Sequence, residues 1–203
     1  MSRDPDFDLV RRCQSETGDA EAAFEELFQA YRDRVFSLAA RMVGNFADAE
    51  DVTQEAFVTV YRKIHDFRLS SRFYTWLYRI VYNLCVDKKR RVGILGTVRG
   101  RTEDREDLLA GIPDPRSGPL ETVTQVEYRN RSVERALQRL SQPLRAVVLL
   151  RYLEELSYAE IAEVLDCSVG TVKSRLSRAH RFLQETLNPT GIPPLEERGK
   201  EEE

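Results

Sequence analysis

Apolar positions along the first third of the chain recur every three or four residues, which is the period of an α-helix and not of a β-strand. Two such stripes occupy residues 20–44 and 49–67, and each follows an aspartate, Asp19 or Asp48, of the type that favours a helix N-terminus. The first stripe contains Phe24, Leu27, Phe28, Tyr31, Val35, Leu38 and Met42, and the second contains Val52, Ala56, Phe57, Val60, Tyr61 and Ile64. The pattern predicts two amphipathic helices that bury these faces in a core.

A third amphipathic helix is predicted within residues 66–91, after a short polar loop. Its apolar stripe contains Trp76, Leu77, Ile80, Val81, Leu84 and Cys85. The opposite side carries Arg79, Tyr82, Asn83 and Arg90. Because these side chains can hydrogen-bond to bases or stack on them, the outward face is suited to a nucleic acid.

Glycine and proline interrupt the pattern between residues 93 and 124, where apolar residues are sparse. This density of breakers favours a flexible linker over a helix. A stretch of about thirty residues without structure would be unusual inside a compact domain. The chain is therefore predicted to hold two domains, residues 1–92 and 125–187, followed at 188–203 by a disordered acidic tail.

The second domain has the pattern of a helix-turn-helix. A helix over residues 127–140 has one apolar face, which contains Val133, Ala136, Leu137 and Leu140. It precedes a continuous apolar run that is predicted to be buried, and Ser157 and Glu160 then form a capping box. Residues 166–168 form a tight turn before a last helix, which buries Val172, Leu176, Ala179 and Leu183. Its exposed face is polar and basic and contains Thr171, Lys173, Ser174, Arg175, Ser177, Arg178 and Arg181. This arrangement favours a DNA-reading helix, with an ordinary helical hairpin as the alternative.

Charge is distributed unevenly along the chain. The 203 residues carry a net charge of −3, yet residues 72–105 hold nine basic residues against three acids, a local net charge of +6. Residues 1–27 and 106–127 carry net charges of −5 and −4. A basic helix end in an otherwise acidic chain favours a polyanionic partner, although a solvated charge run is the ordinary explanation of such a segment taken alone.

Several classes of protein are excluded by composition. The sequence has neither a membrane-length apolar run nor an apolar signal segment, so a cytoplasmic protein is expected. Cys13, Cys85 and Cys167 lie far apart and form no metal-ligand spacing with the two histidines, so reduced thiols are expected, with no metal and no other cofactor. No nucleophile motif or phosphate-binding glycine loop occurs, and catalysis is not expected.

The outward face of the second helix combines acids with an apolar residue. This face consists of Asp48, Asp51, Gln54, Glu55 and Val58. Acids in a first helical turn can simply complement the helix dipole, but that explanation does not account for Val58. An acidic patch with an apolar centre is suited to a basic protein surface.

Three segments together resemble the bacterial sigma factors of the extracytoplasmic-function (ECF) class, which keep region two and region four. DAEDVTQEAF at residues 48–57 resembles the core-binding helix of region two, and FRLSSRFYTWLYRIVYN at 67–83 resembles its promoter-melting loop and helix. LRAVVLLRYLEELSYAEIAEVLDCSVGTVKSRLSRA at 144–179 resembles the helix-turn-helix of region four. The resemblance implies two small all-α domains joined by a flexible linker.

The resemblance also implies a function. Such a protein binds core RNA polymerase, through the coiled coil of the β′ subunit and the β flap, and directs promoter-specific initiation. The acidic face of the second helix, Asp48, Asp51, Gln54, Glu55 and Val58, would dock on the β′ coiled coil. An anti-sigma factor is a further expected partner, and no membrane insertion of the chain itself is expected.

Two DNA-binding sets follow from the same resemblance. The non-template strand of the minus-ten element would be melted and held by Phe67, Arg68, Ser70, Ser71, Phe73, Tyr74, Trp76, Arg79, Tyr82, Asn83, Lys88 and Arg90. Duplex DNA of the minus-thirty-five element would be read by Ser168, Thr171, Lys173, Ser174, Arg175 and Arg178. The alternative is a helix-turn-helix regulator that acts without core polymerase, which would not need the acidic helix and aromatic loop of the first domain.

Overall fold

The computed structural model describes residues 6–15, 19–68, 71–96 and 123–187, with backbone alone at 91–96 and 123–130. The described residues form eight α-helices, a short 3₁₀ turn at Ile64–Asp66 and no strand. The helices are α1 (Phe7–Cys13), α2 (Ala20–Val43), α3 (Phe46–Lys63), α4 (Phe73–Gly96), α5 (Val123–Arg139), α6 (Gln142–Tyr152), α7 (Tyr158–Val164) and α8 (Val169–Leu187). The all-α prediction is confirmed.

A tight turn joins α2 to α3. Gly44 ends α2 with φ +88°, a left-handed backbone that glycine adopts without a Cβ clash. Asn45 then caps α3, because its side-chain oxygen accepts a hydrogen bond of 2.8 Å from the backbone N–H of Asp48. The predicted N-cap, Asp48, is therefore wrong: it lies inside the first turn, and the two residue types cap equally well.

The helix α1 was not predicted from the sequence, since seven residues are too few to show a periodic pattern. Just before it, Asp6 accepts a buried hydrogen bond from the Tyr31 hydroxyl of α2. Just after it, the side-chain amide of Gln14 donates to the carbonyl oxygens of Ile64 and Phe67, at 2.7 and 2.8 Å. The N-terminal segment thus fixes the beginning of the loop between α3 and α4.

Helices extend into the predicted linker from both sides. The helix α4 continues to Gly96, and α5 begins at Val123, so each helix extends past the predicted linker boundary at 93 or 124, and the domain boundaries themselves stay predictions. A single glycine inside a helix costs only about 1 kcal/mol relative to alanine, which is why Gly93 does not end α4. Residues 97–122 and the predicted tail at 188–203 lie outside the described residues.

The helix-turn-helix of the second domain is confirmed. Ser157 and Glu160 form the predicted capping box at the start of α7, and Asp166 adopts a left-handed φ of +50° in the turn. The predicted stripe of α8 is buried at Val172, Leu176, Ala179 and Leu183. The helices α7 and α8 pack on α6, whose apolar run is buried from Arg145 to Leu150 as predicted, whereas Leu144 and Leu153 are half-buried and Tyr152 is exposed.

The two domains pack directly on each other. The helix α2 contacts α5 and α6, and α4 contacts α7, so buried residues of both domains form one core. Arg145 of α6 is buried at this junction and donates to the carbonyl oxygens of Met42, at 2.7 Å, and Leu137, at 2.8 Å. The sequence predicted two domains and a linker, but it carried no signal for this contact.

Two apolar residues predicted to be buried are exposed. Tyr61 of α3 is 55% exposed and rests the edge of its ring on Phe24, while Val133 of α5 is 39% exposed. Each lies at the margin of its stripe, where the pattern alone does not say how far the neighbouring helix reaches.

The thiols of Cys13 and Cys85 are buried, that of Cys167 is half-buried, and all three are free. Burial raises the pKa of Cys13 to about 11 and that of Cys85 to about 12, so both are protonated at neutral pH. A search of the described residues finds no helix long and apolar enough to cross a membrane.

Candidate nucleic-acid interface

The outer face of α3 presents the predicted acidic patch to solvent. Asp51, Gln54, Glu55 and Val58 are exposed, Val58 to 41%, whereas Asp48 is half-buried beneath its bond to the cap. Val58 therefore presents apolar surface to solvent beside the carboxylates of Asp51 and Glu55. The patch is therefore available to a protein partner.

The basic end of α4 lies against this acidic patch. Lys88 Nζ is 2.7 Å from a carboxylate oxygen of Asp51 and 3.5 Å from one of Asp48. The hydrogen bond to Asp51 raises the pKa of Lys88, so the ammonium is retained throughout the physiological range. Asp48 and Asp51, predicted to bind polymerase, thus form one ion-pair cluster with Lys88, predicted to bind DNA. The spacing of these residues in the sequence did not reveal this contact.

The rings that flank the predicted melting loop lie in the core. Phe73 is 0% exposed and Phe67 is 7% exposed, and each packs on the half-buried ring of Trp76, with centroid distances of 6.0 and 4.9 Å. Both phenylalanines thus close the core beneath the loop in this arrangement, and their contact with a base stays a prediction. Arg68 and Ser71 are exposed, and Ser70 lies outside the described residues.

The outward face of α4 carries fewer free side chains than predicted. Arg79, Asn83 and Arg90 are exposed, but Tyr82 is half-buried, and this burial raises its pKa. Tyr82 lines a small cavity together with Ala146 and Leu150 of α6, so its side chain faces the second domain. Helical periodicity placed Tyr82 on the side of α4 opposite the apolar stripe. The second domain covers this side of the helix at Tyr82, so the side chain is half-buried.

Two residues of the predicted minus-ten set, Tyr74 and Arg79, contact the helix-turn-helix, and so does the neighbouring Arg72. Glu160 of α7 accepts hydrogen bonds from the Tyr74 hydroxyl and from Arg72 Nη1, the latter at 2.8 Å. Arg79 Nη2 is 3.5 Å from a carboxylate oxygen of Asp166 in the turn. Burial and the bond to Glu160 raise the pKa of Tyr74 to about 12, so its hydroxyl remains a donor.

The predicted reading helix, α8, begins with a side-chain cap formed by Ser168. Ser168 Oγ accepts a hydrogen bond of 3.1 Å from the backbone N–H of Thr171 and lies 2.9 Å from the Thr171 hydroxyl. Lys173, Ser174 and Arg178 are exposed beyond this cap. The exposed face therefore combines hydrogen-bonding groups with positive charge over two turns, as the major groove requires.

Arg175 is half-buried beside the turn, and its guanidinium lies 3.8 Å from the Cys167 sulfur. A thiol is a weak hydrogen-bond acceptor, so this contact holds the guanidinium loosely and leaves its donors available. The turn thereby positions Arg175 at the edge of the reading face.

Two family models match the chain. Sigma-70 region 2 matches residues 27–94, from α2 through most of α4, and Sigma-70, region 4 matches residues 130–183, from α5 through most of α8. The ECF RNA polymerase sigma factor SigW of Bacillus subtilis (strain 168) is 35% identical over 182 residues, which cover 86% of this chain and 93% of the relative. The chain belongs to the ECF family of RNA polymerase sigma factors.

Further similarities agree with this membership. The ECF RNA polymerase sigma-E factor of Escherichia coli (strain K12) is 38% identical to this chain over 187 residues, which cover 89% of this chain and 93% of the relative. The sigma factor RpoE from Bartonella quintana, solved in complex with the anti-sigma factor NepR, superposes with a TM-score of 0.66 at 24% identity and covers 81% of this chain and 96% of its own. That likeness shows the fold.

The ECF sigma factor directs promoter-specific transcription initiation by RNA polymerase and is not itself an enzyme. Both regions are present, so the alternative of a helix-turn-helix regulator acting without core polymerase is not favoured. The predicted family and function are confirmed, whereas the roles of individual residues remain predictions.

Proposed function

We propose that the exposed patch on α3 is the surface of this sigma factor that binds core polymerase at the β′ coiled coil. Asp51, Gln54 and Glu55 would contact basic groups of the partner, and Val58 would pack against its apolar residues. Asp48 is half-buried, so its part is to hold Lys88 and the helix start rather than to contact the partner directly. The exposed Val58 beside carboxylates is the observation that supports this assignment.

The loop before α4 and the outward face of α4 are proposed to open and hold the minus-ten element. Arg68, Ser71, Arg79, Asn83 and Arg90 are exposed and would contact backbone and bases of the non-template strand. Phe67, Phe73 and Trp76 would support the loop from below. Unstacking a base costs a few kcal/mol, which contacts to the extruded base must offset.

The helix α8 is proposed to read the minus-thirty-five element in the major groove. Arg175 and Arg178 would donate to guanine, and Lys173 and Ser174 would contact phosphates or base edges. Ser168 and Thr171, which bond to each other, would set the position of the first turn against the DNA backbone. The second domain is also proposed to contact the β flap.

We also propose that an anti-sigma factor regulates the chain, and that the chain itself acts in the cytoplasm. The first proposal is supported by the similar fold of the Bartonella quintana protein, which was solved with its anti-sigma factor. The second is supported by the partners, because polymerase and promoter DNA occupy that compartment in bacteria.

Reconstituted transcription tests the proposed function. The purified chain is mixed with core polymerase and a promoter library, and the transcribed promoters are selected and sequenced. We expect two conserved elements, about one and three helical turns before the start, as the two reading surfaces require. Transcripts that do not depend on the added chain would contradict the assignment.

A further inference from the structure

A glutamine of the N-terminal segment holds the backbone at the start of the loop between α3 and α4, which we call the minus-ten loop. The side-chain amide of Gln14, just after α1, donates to the carbonyl oxygen of Ile64 at 2.7 Å and to that of Phe67 at 2.8 Å. A side-chain amide has two N–H donors, so both are used on this stretch of backbone. The Ile64 carbonyl also accepts from the backbone N–H of Phe67 at 3.2 Å, so the same turn is fixed by a side chain and by a backbone bond.

The two carbonyls lie where the chain changes direction. Residues 64–66 form the 3₁₀ turn, and Phe67 leaves it with an extended backbone, φ −67° and ψ 125°. The next residue, Arg68, is the first exposed member of the predicted minus-ten set. The direction in which Arg68 leaves the core therefore depends on the backbone that Gln14 holds.

The beginning of the loop is held from two sides. The ring of Phe67 is 7% exposed and packs on Trp76, with 4.9 Å between the ring centroids. A buried ring alone leaves the following peptide free to rotate about ψ. Because a peptide unit is planar, the bond from Gln14 to the Phe67 carbonyl also sets the orientation of the N–H and Cα of Arg68.

The helix α1 gives Gln14 a fixed position. Val10 and Cys13 of this helix are buried in the core, at 0% and 3% exposure. Arg12 pairs with Glu26 of α2, with 2.9 Å between Nη2 and a carboxylate oxygen. This pair is partly exposed and contributes little to stability, so the buried side chains are what fix the helix. The amide of Gln14 therefore reaches the loop from a rigid support.

We propose that Gln14 is a positioning residue for strand opening, which holds the peptide between Phe67 and Arg68 in the orientation that receives the extruded minus-ten strand. It acts through this backbone and not by contact with DNA. The inference rests on the minus-ten assignment proposed above. A loop start that is ordered before the strand arrives loses less conformational freedom on binding, so preorganisation raises the affinity for the strand. The match to Sigma-70 region 2 begins at residue 27, so it does not include Gln14.

The test compares Gln14→Met with Gln29→Met in the full chain. Methionine is a flexible side chain of similar length that has no N–H donor, so the exchange removes the two hydrogen bonds and little packing. Gln29 is an exposed residue of α2 whose amide donates to Glu25 of the same helix. Gln14→Glu is the second variant, because an ionised carboxylate keeps the shape and polarity of the side chain but cannot donate.

Three measurements separate positioning from stability. Trp76 is the single tryptophan of the chain and packs on Phe67, so its emission in the free chain reports the order of the loop start. Titration gives the affinity of each variant for core polymerase. Fluorescence anisotropy gives the affinity of each holoenzyme for the non-template minus-ten single strand of a promoter that the wild-type holoenzyme transcribes. Asn83→Ala is measured alongside, since its defect follows from the minus-ten assignment itself.

Both Gln14 variants are expected to bind the single strand about two- to tenfold more weakly than wild type, the size of effect that loss of hydrogen bonding produces. Their Trp76 emission should shift to longer wavelength, because the ring of Phe67 is held less firmly over the indole. Their affinity for core polymerase should be unchanged. Gln29→Met should match wild type in all three measurements.

Wild-type affinity for the single strand in either Gln14 variant would overturn the proposal. An equal loss of affinity for core polymerase would also overturn it, since Gln14 would then support the whole domain and not the loop. If Asn83→Ala binds the strand weakly while the Gln14 variants match wild type, the proposed function stands and this inference alone fails. If none of these variants loses affinity for the strand, the minus-ten assignment fails together with the inference.

Discussion

Individual side chains on α8 divide into those that hold the helix start and those that are available to DNA. Ser168 and Thr171 are bonded to each other at the cap, while Lys173 and Arg178 are exposed. Arg175 lies between the two groups, held only by a weak contact with the Cys167 sulfur. Residue type alone did not separate these roles, because all five are polar and lie within ten positions of one another.

Arg175→Ala should relax base discrimination in the minus-thirty-five element by about 1–3 kcal/mol if the guanidinium contacts a guanine through two hydrogen bonds. Lys173→Ala should instead weaken binding to all sequences alike and reduce the salt dependence, as loss of a phosphate contact does. Promoter selection with each holoenzyme at two salt concentrations measures both effects. A selection profile for Arg175→Ala that matches wild type would remove this residue from the reading set.

Asp51→Lys should weaken binding to core polymerase by about tenfold or more, because the reversed charge repels a basic partner. The substitution also removes the ion pair with Lys88, so the helical content must be checked by circular dichroism. Glu25→Lys is the control, since it makes the same charge change at an exposed position of α2. Equal affinities of the two variants in a titration with core polymerase would show that the α3 patch does not bind it.

At the scale of elements, the capping box of α7 does two things at once. Glu160 accepts a hydrogen bond of 2.8 Å from the backbone N–H of Ser157, which stabilises the helix start, and it accepts from Arg72 and Tyr74 across the domain contact. Although burial alone would raise the pKa of Glu160, the bonds from Tyr74 and Ser157 lower it below its ordinary value of 4.5.

A lowered carboxyl pKa predicts acid sensitivity. The contribution of Glu160 to stability is fully present above pH 4.5, the ordinary value, and is lost as the pH falls through the lower pKa of the folded chain. Glu160→Gln keeps the capping box but has no carboxyl to titrate. The urea midpoint of wild type should therefore fall more than that of Glu160→Gln as the pH is lowered from 7 to well below 4.5. Equal falls would contradict the account.

The sequence predicted most elements because amphipathic periodicity records which face of a helix is buried. The stripe of α8 and the capping box of α7 are present as predicted. The cap of α3 and the helix α1 were missed, because neighbouring Asn and Asp residues cap equally well and seven residues show no period. The sequence could not decide whether Phe67 and Phe73 are buried, because an aromatic ring beside a loop can either pack in the core or stack on a base.

At the scale of the whole molecule, the contact between domains was beyond the reach of sequence reasoning. Glu154 is one acid among many in the sequence, and only the fold places it beside Arg34 and Tyr78. The same contact brings Glu160 onto Tyr74, a residue of the predicted minus-ten set, and onto the neighbouring Arg72. The helices that carry the three surfaces proposed for polymerase, the melted strand and the duplex thus share a single core.

The central claim is that the outward face of α4 acts at strand opening, after polymerase and duplex DNA are bound. Asn83 is the residue of choice for testing it, because its amide is exposed and its substitution disturbs no buried contact. Loss of one hydrogen bond to the extruded strand should lower the open complex by roughly two- to tenfold. Binding to core polymerase and closed-complex formation should be unchanged.

Permanganate reactivity of minus-ten thymines in holoenzyme–promoter complexes measures this step directly. We expect Asn83→Ala to reduce thymine reactivity on a duplex promoter and to regain activity on a template already mismatched across the minus-ten region, where the cost of unpairing has been removed. Full wild-type reactivity on the duplex would contradict the account, and so would an equal defect on both templates.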